Sequence, residues 1–162
     1  AERNHNVKTT ELKTPRLLLR PLTDDALAAL MASVQPRDAE LAAAYGDMLR
    51  GSRAHPEARI WYTAWGVWLH GNTQMIGDLC FKGPSEHPEI GYGFLDAYQN
   101  RGYATEAADA LCAWALAQPN VTAVEAETDP GNTASQRVLQ KLGFVPTGET
   151  GEEGPRFILR KI

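Results

Sequence analysis

Tyr98-Gln99-Asn100-Arg101-Gly102-Tyr103-Ala104-Thr105-Glu106-Ala107 joins two segments of different pattern. Before it, 89–95 reads Glu-Ile-Gly-Tyr-Gly-Phe-Leu, a short β-prone run. After it, 104–117 is rich in alanine and carries Ala107, Ala108, Leu111, Cys112 and Ala115 at helical spacing. The pattern predicts a strand that stops at a glycine turn and opens directly into a helix. Such a turn aims unpaired backbone N–H groups at one point, beside the positive end of the helix dipole, and so makes an anion site. Gly102 removes the side chain that would block close approach, and Arg101 adds a fixed positive charge. A doubly wound dinucleotide fold is disfavoured. It places its glycine turn after the first strand and an acidic residue about 20 positions on, whereas this turn lies past mid-chain.

Working outward, residues 1–10 are polar and aperiodic and read as a loosely held arm, which leaves 11–162 as one domain. A first strand is expected over 16–22. Thr23 caps a helix to about Ser33, with Asp24 and Asp25 in its first turn. A second helix covers 38–49 and ends near Gly51. The aromatic and β-branched run 60–69 predicts a strand with Trp61, Thr63, Trp65, Val67 and Leu69 on one face. Gly71-Asn72 signals a hairpin into a strand over 75–82. Downstream, 121–128 reads as a strand, Asn132 caps a helix to Leu142, and Gly143 stops it. Strands over 145–147 and 156–162 close the chain around an acidic, glycine-rich loop. The order is β-α-α-β-β-β-α-β-α-β-β, a single α/β layer structure with a mixed sheet flanked by helices.

At 162 residues the chain suffices for one packed core. Hydrophobic content of 43% and charged content of 22% match a soluble globular chain. A formal net charge of −4 argues against nucleic acid as partner, and no apolar run approaches the roughly 20 residues that span a bilayer. Cys80 and Cys112 need no disulfide in a domain of this size, which suggests a reducing cytoplasm, and their spacing suits no metal site.

The spacing Gln99-x-x-Gly102-x-Ala104 resembles the pyrophosphate-binding motif of the GNAT superfamily of acyl-CoA-dependent N-acetyltransferases. Three ordered pieces extend the likeness to the branch of ribosomal-protein N-terminal acetyltransferases (RimJ/RimL-like). They are Thr14-Pro15-Arg16-Leu17-Leu18-Leu19-Arg20-Pro21-Leu22, the run Pro88 to Ala107, and Asn132-Thr133-Ala134-Ser135 followed by Val138-Leu139-Gln140-Lys141-Leu142-Gly143-Phe144. The resemblance implies a twisted, mostly antiparallel mixed sheet and acetyl-CoA as donor. It implies a primary amine as acceptor, in the first place a protein or peptide N-terminus. Small amines such as an antibiotic, a polyamine or an amino acid stay open, as does a non-catalytic acyl-CoA sensor. A homodimer is compatible with all of them.

Residue by residue, the resemblance assigns the diphosphate to the backbone of Arg101, Gly102, Tyr103, Ala104 and Thr105, with Gln99 in the motif. The pantetheine arm falls in a V-shaped gap between 90–95 and 121–127, paired near Phe94 and Leu95 and touched by Asn132. Glu89 matches the strand-borne general base of some histone-acetylating members, and a structural ion pair is its alternative. His87 is a candidate relay. An α-amine, with a pKa of about 7.7–8.0, asks less of a base than a lysine near 10.4. Many members place a tyrosine where this chain has Leu139. The ribosomal-protein branch instead uses a serine, here Ser135, which the resemblance makes the hydrogen-bond partner of the leaving thiolate, and helix capping is its alternative role. Tyr92 and Tyr103 are the other phenols at hand. Glu149, Glu152 and Glu153 in the last loop are candidates to attract a cationic amine. Trp61, Trp65 and Trp68 are assigned to the core or sheet faces.

Overall fold

A computed structural model of the chain describes residues 10–162. The elements run β1 (Leu12–Lys13), β2 (Leu17–Pro21), α1 (Asp24–Val34), α2 (Ala39–Ala54), a 3-10 turn (Pro56–Trp61), β3 (Trp65–Leu69), β4 (Met75–Phe81) and β5 (Ile90–Phe94). A second 3-10 turn (Asp96–Tyr98) leads to α3 (Tyr103–Leu116), β6 (Ala123–Glu127), α4 (Thr133–Leu142), β7 (Val145–Thr150) and β8 (Pro155–Arg160). The expected order holds, with one two-residue strand added at the front. The arm expected over 1–10 lies, apart from residue 10, outside the described residues.

β1 to β5 form one antiparallel sheet in chain order, and β6, β8 and β7 form a second. The two join at a single parallel bridge, Glu89 to Glu125. α3 packs on the inner face of both. Leu17, Leu19, Val67, Leu79 and Phe81 from the first sheet, Val124 and Ala126 from the second, and Ala107, Ala108, Leu111 and Ala115 from α3 are all buried. Small residues on α3 let the helix lie close to the strands, and each fully buried leucine contributes about 2 kcal/mol. Trp61, Trp65 and Phe81 gather around Trp114 of α3. A smaller cluster, Leu22, Leu27, Tyr45, Leu49 and Ala64, seats α1 and α2 on the opposite face.

The helix starts follow local chemistry. Thr23, Asp38 and Asn132 each accept a backbone N–H in the first turn they cap, at 3.1, 2.9 and 3.0 Å. Four expectations need correction. The strand predicted over 60–69 begins only at Trp65, because Pro56 opens a 3-10 turn that holds Trp61. Thr63 leaves the strand face altogether: its buried hydroxyl donates to the Leu22 carbonyl at 3.0 Å. The second helix runs through Gly51 to Ala54, since that glycine serves as the flat spot on which the Tyr62 ring lies, not as a stop. The last loop is shorter than its composition suggests: β7 extends to Thr150 across a register shift, and the hairpin tip is 151–154.

Candidate active site

The bond pattern of β5 decides what its free edge can do. In an antiparallel pair, alternate residues exchange backbone hydrogen bonds with the partner while those between turn outward. Lys82 N–H bonds to the Glu89 carbonyl and Leu95 N–H to the Ile76 carbonyl, at 3.1 and 2.9 Å. The register therefore commits residues 89, 91, 93 and 95 to β4 and turns the backbone of Ile90, Tyr92 and Phe94 toward β6. β6 meets that edge only at its start, where Thr122 N–H reaches the Glu86 carbonyl and Glu125 N–H the Pro88 carbonyl, at 2.9 and 3.0 Å. Beyond the bridge the two strands part. Tyr92 and Phe94 thus present main-chain groups to an open gap. Leu95, expected there too, does not: its N–H is spent on β4 and its side chain is 47% exposed.

The gap opens into a groove of about 520 Å³ lined by Tyr92, Gly93, Phe94, the turn 99–105 without Arg101, and the α4 face from Asn132 to Lys141. Gln99 closes the corner between strand and turn: its amide donates to the Phe94 carbonyl at 2.9 Å. Asn100 and Gly102 both have positive φ, 62° and 82°. Gly102 is the N-cap of α3 in the left-handed region, where a side chain is strained. The first helical bond runs from Glu106 N–H to the Gly102 carbonyl. The N–H groups of residues 100–105 find no acceptor among the described residues, so a cluster of free donors faces one end of the groove.

Arg16 pins this turn. Its Nε donates to Glu106 Oε1 at 2.7 Å, its Nη1 to the Arg101 carbonyl at 3.0 Å, and its guanidinium lies over the Tyr103 ring at 4.4 Å. Glu106 also accepts from the Arg16 N–H at 2.9 Å and from the Thr14 hydroxyl at 2.5 Å. Burial opposes ionisation of Glu106, but these donors together hold its carboxyl below the ordinary range. Arg101 is exposed and absent from the groove lining, and its carbonyl is held by Arg16.

Across the groove, Asn132 Oδ1 is committed to the Ser135 N–H as a cap. Ser135 Oγ sits 2.9 Å from the Tyr92 hydroxyl. Leu139 is 1% exposed and part of the core, so this position turns away from the groove that its tyrosine counterpart would serve.

Side chains alternate along β5, so Glu89 faces the side opposite Tyr92 and Phe94. Lys82 Nζ holds Glu89 Oε2 at 2.8 Å, and Arg156 Nη2 holds Oε1 at 3.2 Å. Arg156 also binds Glu125 at 3.0 Å and Glu127 at 2.5 Å. His87 is tied to Glu125, Nδ1 to Oε2 at 2.9 Å, and makes no bond to Glu89. Lys82, His87, Glu89, Glu125 and Arg156 border a second cavity of about 580 Å³. Glu149 and Glu152 are exposed and do not line it, and the Glu153 N–H is bonded to Glu127. On the same face, Asp78 accepts from the Tyr45 hydroxyl of α2 at 2.6 Å. Burial raises the Asp78 carboxyl above its ordinary range against the pull of that bond.

A strand pair parted on one side, with free N–H donors at the mouth of the gap, is the arrangement that the sequence motif led one to expect. A model of the acetyltransferase (GNAT) domain matches residues 16–145. The chain belongs to the GNAT acetyltransferase family. It is 32% identical over 94 residues to the uncharacterized N-acetyltransferase YjdG of Bacillus subtilis, covering 56% of each chain. It is 41% identical over 80 residues to YnaD of the same organism, covering 48% of this GNAT chain and 47% of that one. The matches thus span about half the length of these curated relatives. In fold it is similar to RimL, a ribosomal L7/L12 alpha-N-protein acetyltransferase solved with coenzyme A (TM-score 0.73, 16% identity, 93% and 98% covered). It is also similar to the Salmonella typhimurium enzyme that modifies the N-terminal serine of L7/L12 (TM-score 0.73, 15% identity, 94% and 100% covered).

Arg16 and its Glu106 partner escaped the sequence reading as site residues, although Thr14-Pro15-Arg16 carried part of the resemblance. No local signal pairs them, because ninety positions separate the two.

Proposed function

We propose that this chain is an acetyl-CoA-dependent N-acetyltransferase whose acceptor is a protein or peptide N-terminal α-amine. The observation that carries the reading is the set of free N–H groups at 100–105 facing a groove that ends at the parted strands. Free donors at a helix start suit a diphosphate, and a free strand edge suits the amide-rich pantetheine arm. The residues present therefore fit coenzyme A. Arg101, Gly102, Tyr103, Ala104 and Thr105 hold the diphosphate through their backbone, and the Thr105 hydroxyl adds a donor. Tyr92 and Phe94 pair with the arm through the main chain, and the Asn132 carboxamide NH₂ contacts it from α4. When bound, acetyl-CoA supplies the activated acyl thioester.

The acceptor approaches from the opposite face, where Glu89, Glu125 and Glu127 outnumber Lys82 and Arg156. That balance favours a cationic amine. Both oxygens of Glu89 already bind cations, so Glu89 acts as a fixed negative charge that steers the amine, and the amine sheds its proton to solvent. An acceptor that is partly neutral at pH 7 suits a site that gives the amine negative charge and solvent, and an α-amine meets the condition better than a lysine. The names of the structural neighbours support the same acceptor class. A cytoplasmic setting fits the two free thiols, Cys80 and Cys112. Among the described residues no helix is long and apolar enough to cross a membrane.

A mass-spectrometric screen with acetyl-CoA tests the reading, using peptides with free N-termini, the same peptides N-blocked but bearing lysine, and a panel of polyamines and amino acids. Acetylation confined to free N-termini is the expected result. Acetylated small amines alone would overturn the acceptor class. Tight acetyl-CoA binding with no acetylated product would leave an acyl-CoA sensor.

A further inference from the structure

We infer that Tyr92 is the positioning residue for Ser135: its phenol occupies one lone pair of the serine oxygen and turns the single serine proton into the groove, toward the departing sulfur. This inference rests on the acetyl-transfer reading above and adds a residue to it.

The geometry is a short contact between two elements that flank the parted strands. Tyr92 comes from β5 and Ser135 from the first turn of α4, and their oxygens are 2.9 Å apart. Both line the groove. A phenol is a stronger acid than an aliphatic alcohol, so the phenol is the better donor in this pair. Its proton has a second acceptor on the same residue, the Ser135 carbonyl at 3.4 Å, which also favours donation from tyrosine to serine. Burial raises the Tyr92 phenol above its ordinary range, offset in part by the serine bond, and so keeps it protonated. Ser135 is itself fixed, because its N–H is taken by the Asn132 cap. With one direction about Cβ–Oγ taken by the phenol, the serine hydrogen is left two staggered positions, and the one that faces the groove is the one that serves the sulfur.

As the C–N bond to the amine forms and the C–S bond breaks, the electron pair of the broken bond stays on sulfur. The Ser135 O–H donates a hydrogen bond to that developing charge, and neither oxygen loses its proton. The sulfur then takes up, through solvent, the proton that the amine has shed. Leu139 supplies none of this, since it is buried in the core. A phenol on the strand, acting through a serine on the helix, takes the place of a phenol on the helix.

The test combines Tyr92→Phe, Ser135→Ala and the double variant. The phenylalanine keeps the ring and its packing, and an unchanged thermal midpoint confirms the fold. We expect Tyr92→Phe to lower kcat about tenfold with KM for acetyl-CoA within twofold. The double variant should be no slower than Ser135→Ala alone, because the tyrosine acts only through the serine. A second readout needs no turnover. By calorimetry at alkaline pH, wild type should bind coenzyme A more tightly than desulfo-coenzyme A, and Tyr92→Phe should lose most of that preference. Full kcat in Tyr92→Phe, losses that multiply in the double variant, or an unchanged preference for the thiol would each overturn the inference. A wild type that binds neither ligand would instead overturn the acetyl-transfer reading itself.

Discussion

Arg16→Gln tests whether the anion turn is held from outside. The substitution removes three contacts: the ion pair to Glu106, the bond to the Arg101 carbonyl and the guanidinium face on Tyr103. Arg16 is 44% exposed, so solvent screening limits the ion pair to about 0.5 kcal/mol. The bond to the carbonyl contributes about 1 kcal/mol and the cation–π contact about 0.5 kcal/mol. The sum, about 2 kcal/mol, lowers the melting midpoint by roughly 4–8 °C in a chain of this size. Coenzyme A binding should suffer separately. Glu106 is left as an uncompensated charge in the first turn of α3, beside a diphosphate, at on the order of 1 kcal/mol under solvent-like screening. Re-ordering a turn that is no longer pinned costs on the order of another 1 kcal/mol. Together these predict roughly 30-fold weaker binding. Calorimetry with coenzyme A at low and moderate salt reads the affinity, and a parallel melt reads the stability. Adding Glu106→Gln should restore the electrostatic half and leave the ordering half. Binding within twofold of wild type in Arg16→Gln would refute the reasoning.

Gly102→Asp places a carboxylate and a strained backbone at φ 82°, and coenzyme A binding should be lost at a stability cost of about 1–2 kcal/mol, read by calorimetry and melting. Gly77→Ala would put a methyl 2.5 Å from the Phe94 ring and 2.7 Å from the Gly93 carbonyl, so β5 must shift. We expect a loss of about 1–3 kcal/mol in denaturant unfolding together with weaker coenzyme A binding. Glu89→Gln should lower the kcat for peptide N-termini while leaving the coenzyme A dissociation constant within twofold, and unchanged turnover would confine Glu89 to the ion-pair network. For acid stability the sign follows from Glu106 and Glu125, whose carboxyls the fold holds low. Their contribution is present above the unfolded carboxylate pKa and is lost as pH falls through the lower folded values. The melting midpoint should therefore drop below about pH 4.3, and less steeply in Glu106→Gln. Asp78 has the opposite sign: its raised carboxyl makes the fold relatively less stable as pH rises past the ordinary range.

The features legible in the sequence were those written in adjacent residues. The turn at Gly102, the cap at Asn132 and the stop at Gly143 each depend on a few neighbours, and the structure forms all three. The run from Ile60 misled because its aromatic residues suit a strand, while Pro56 and the bond from Thr63 to the Leu22 carbonyl draw its first part into a turn. Gly51 misled because a glycine inside a helix looks the same as one that ends it until the Tyr62 ring above it is known. The pair Tyr92 and Ser135 lies 43 positions apart, and two pieces of the motif had to fold together before it existed.

The joint at Glu89 and Glu125 gives the molecule a pivot. Two stiff plates fastened at one point near an edge open like the covers of a book, and the width at the far side depends on how that spine is tied. Lys82, Arg156 and His87 brace the spine from the face opposite α3. Changes in that brace would therefore be felt on the other side of the sheet as a narrower or wider slot, without any residue in the slot being touched.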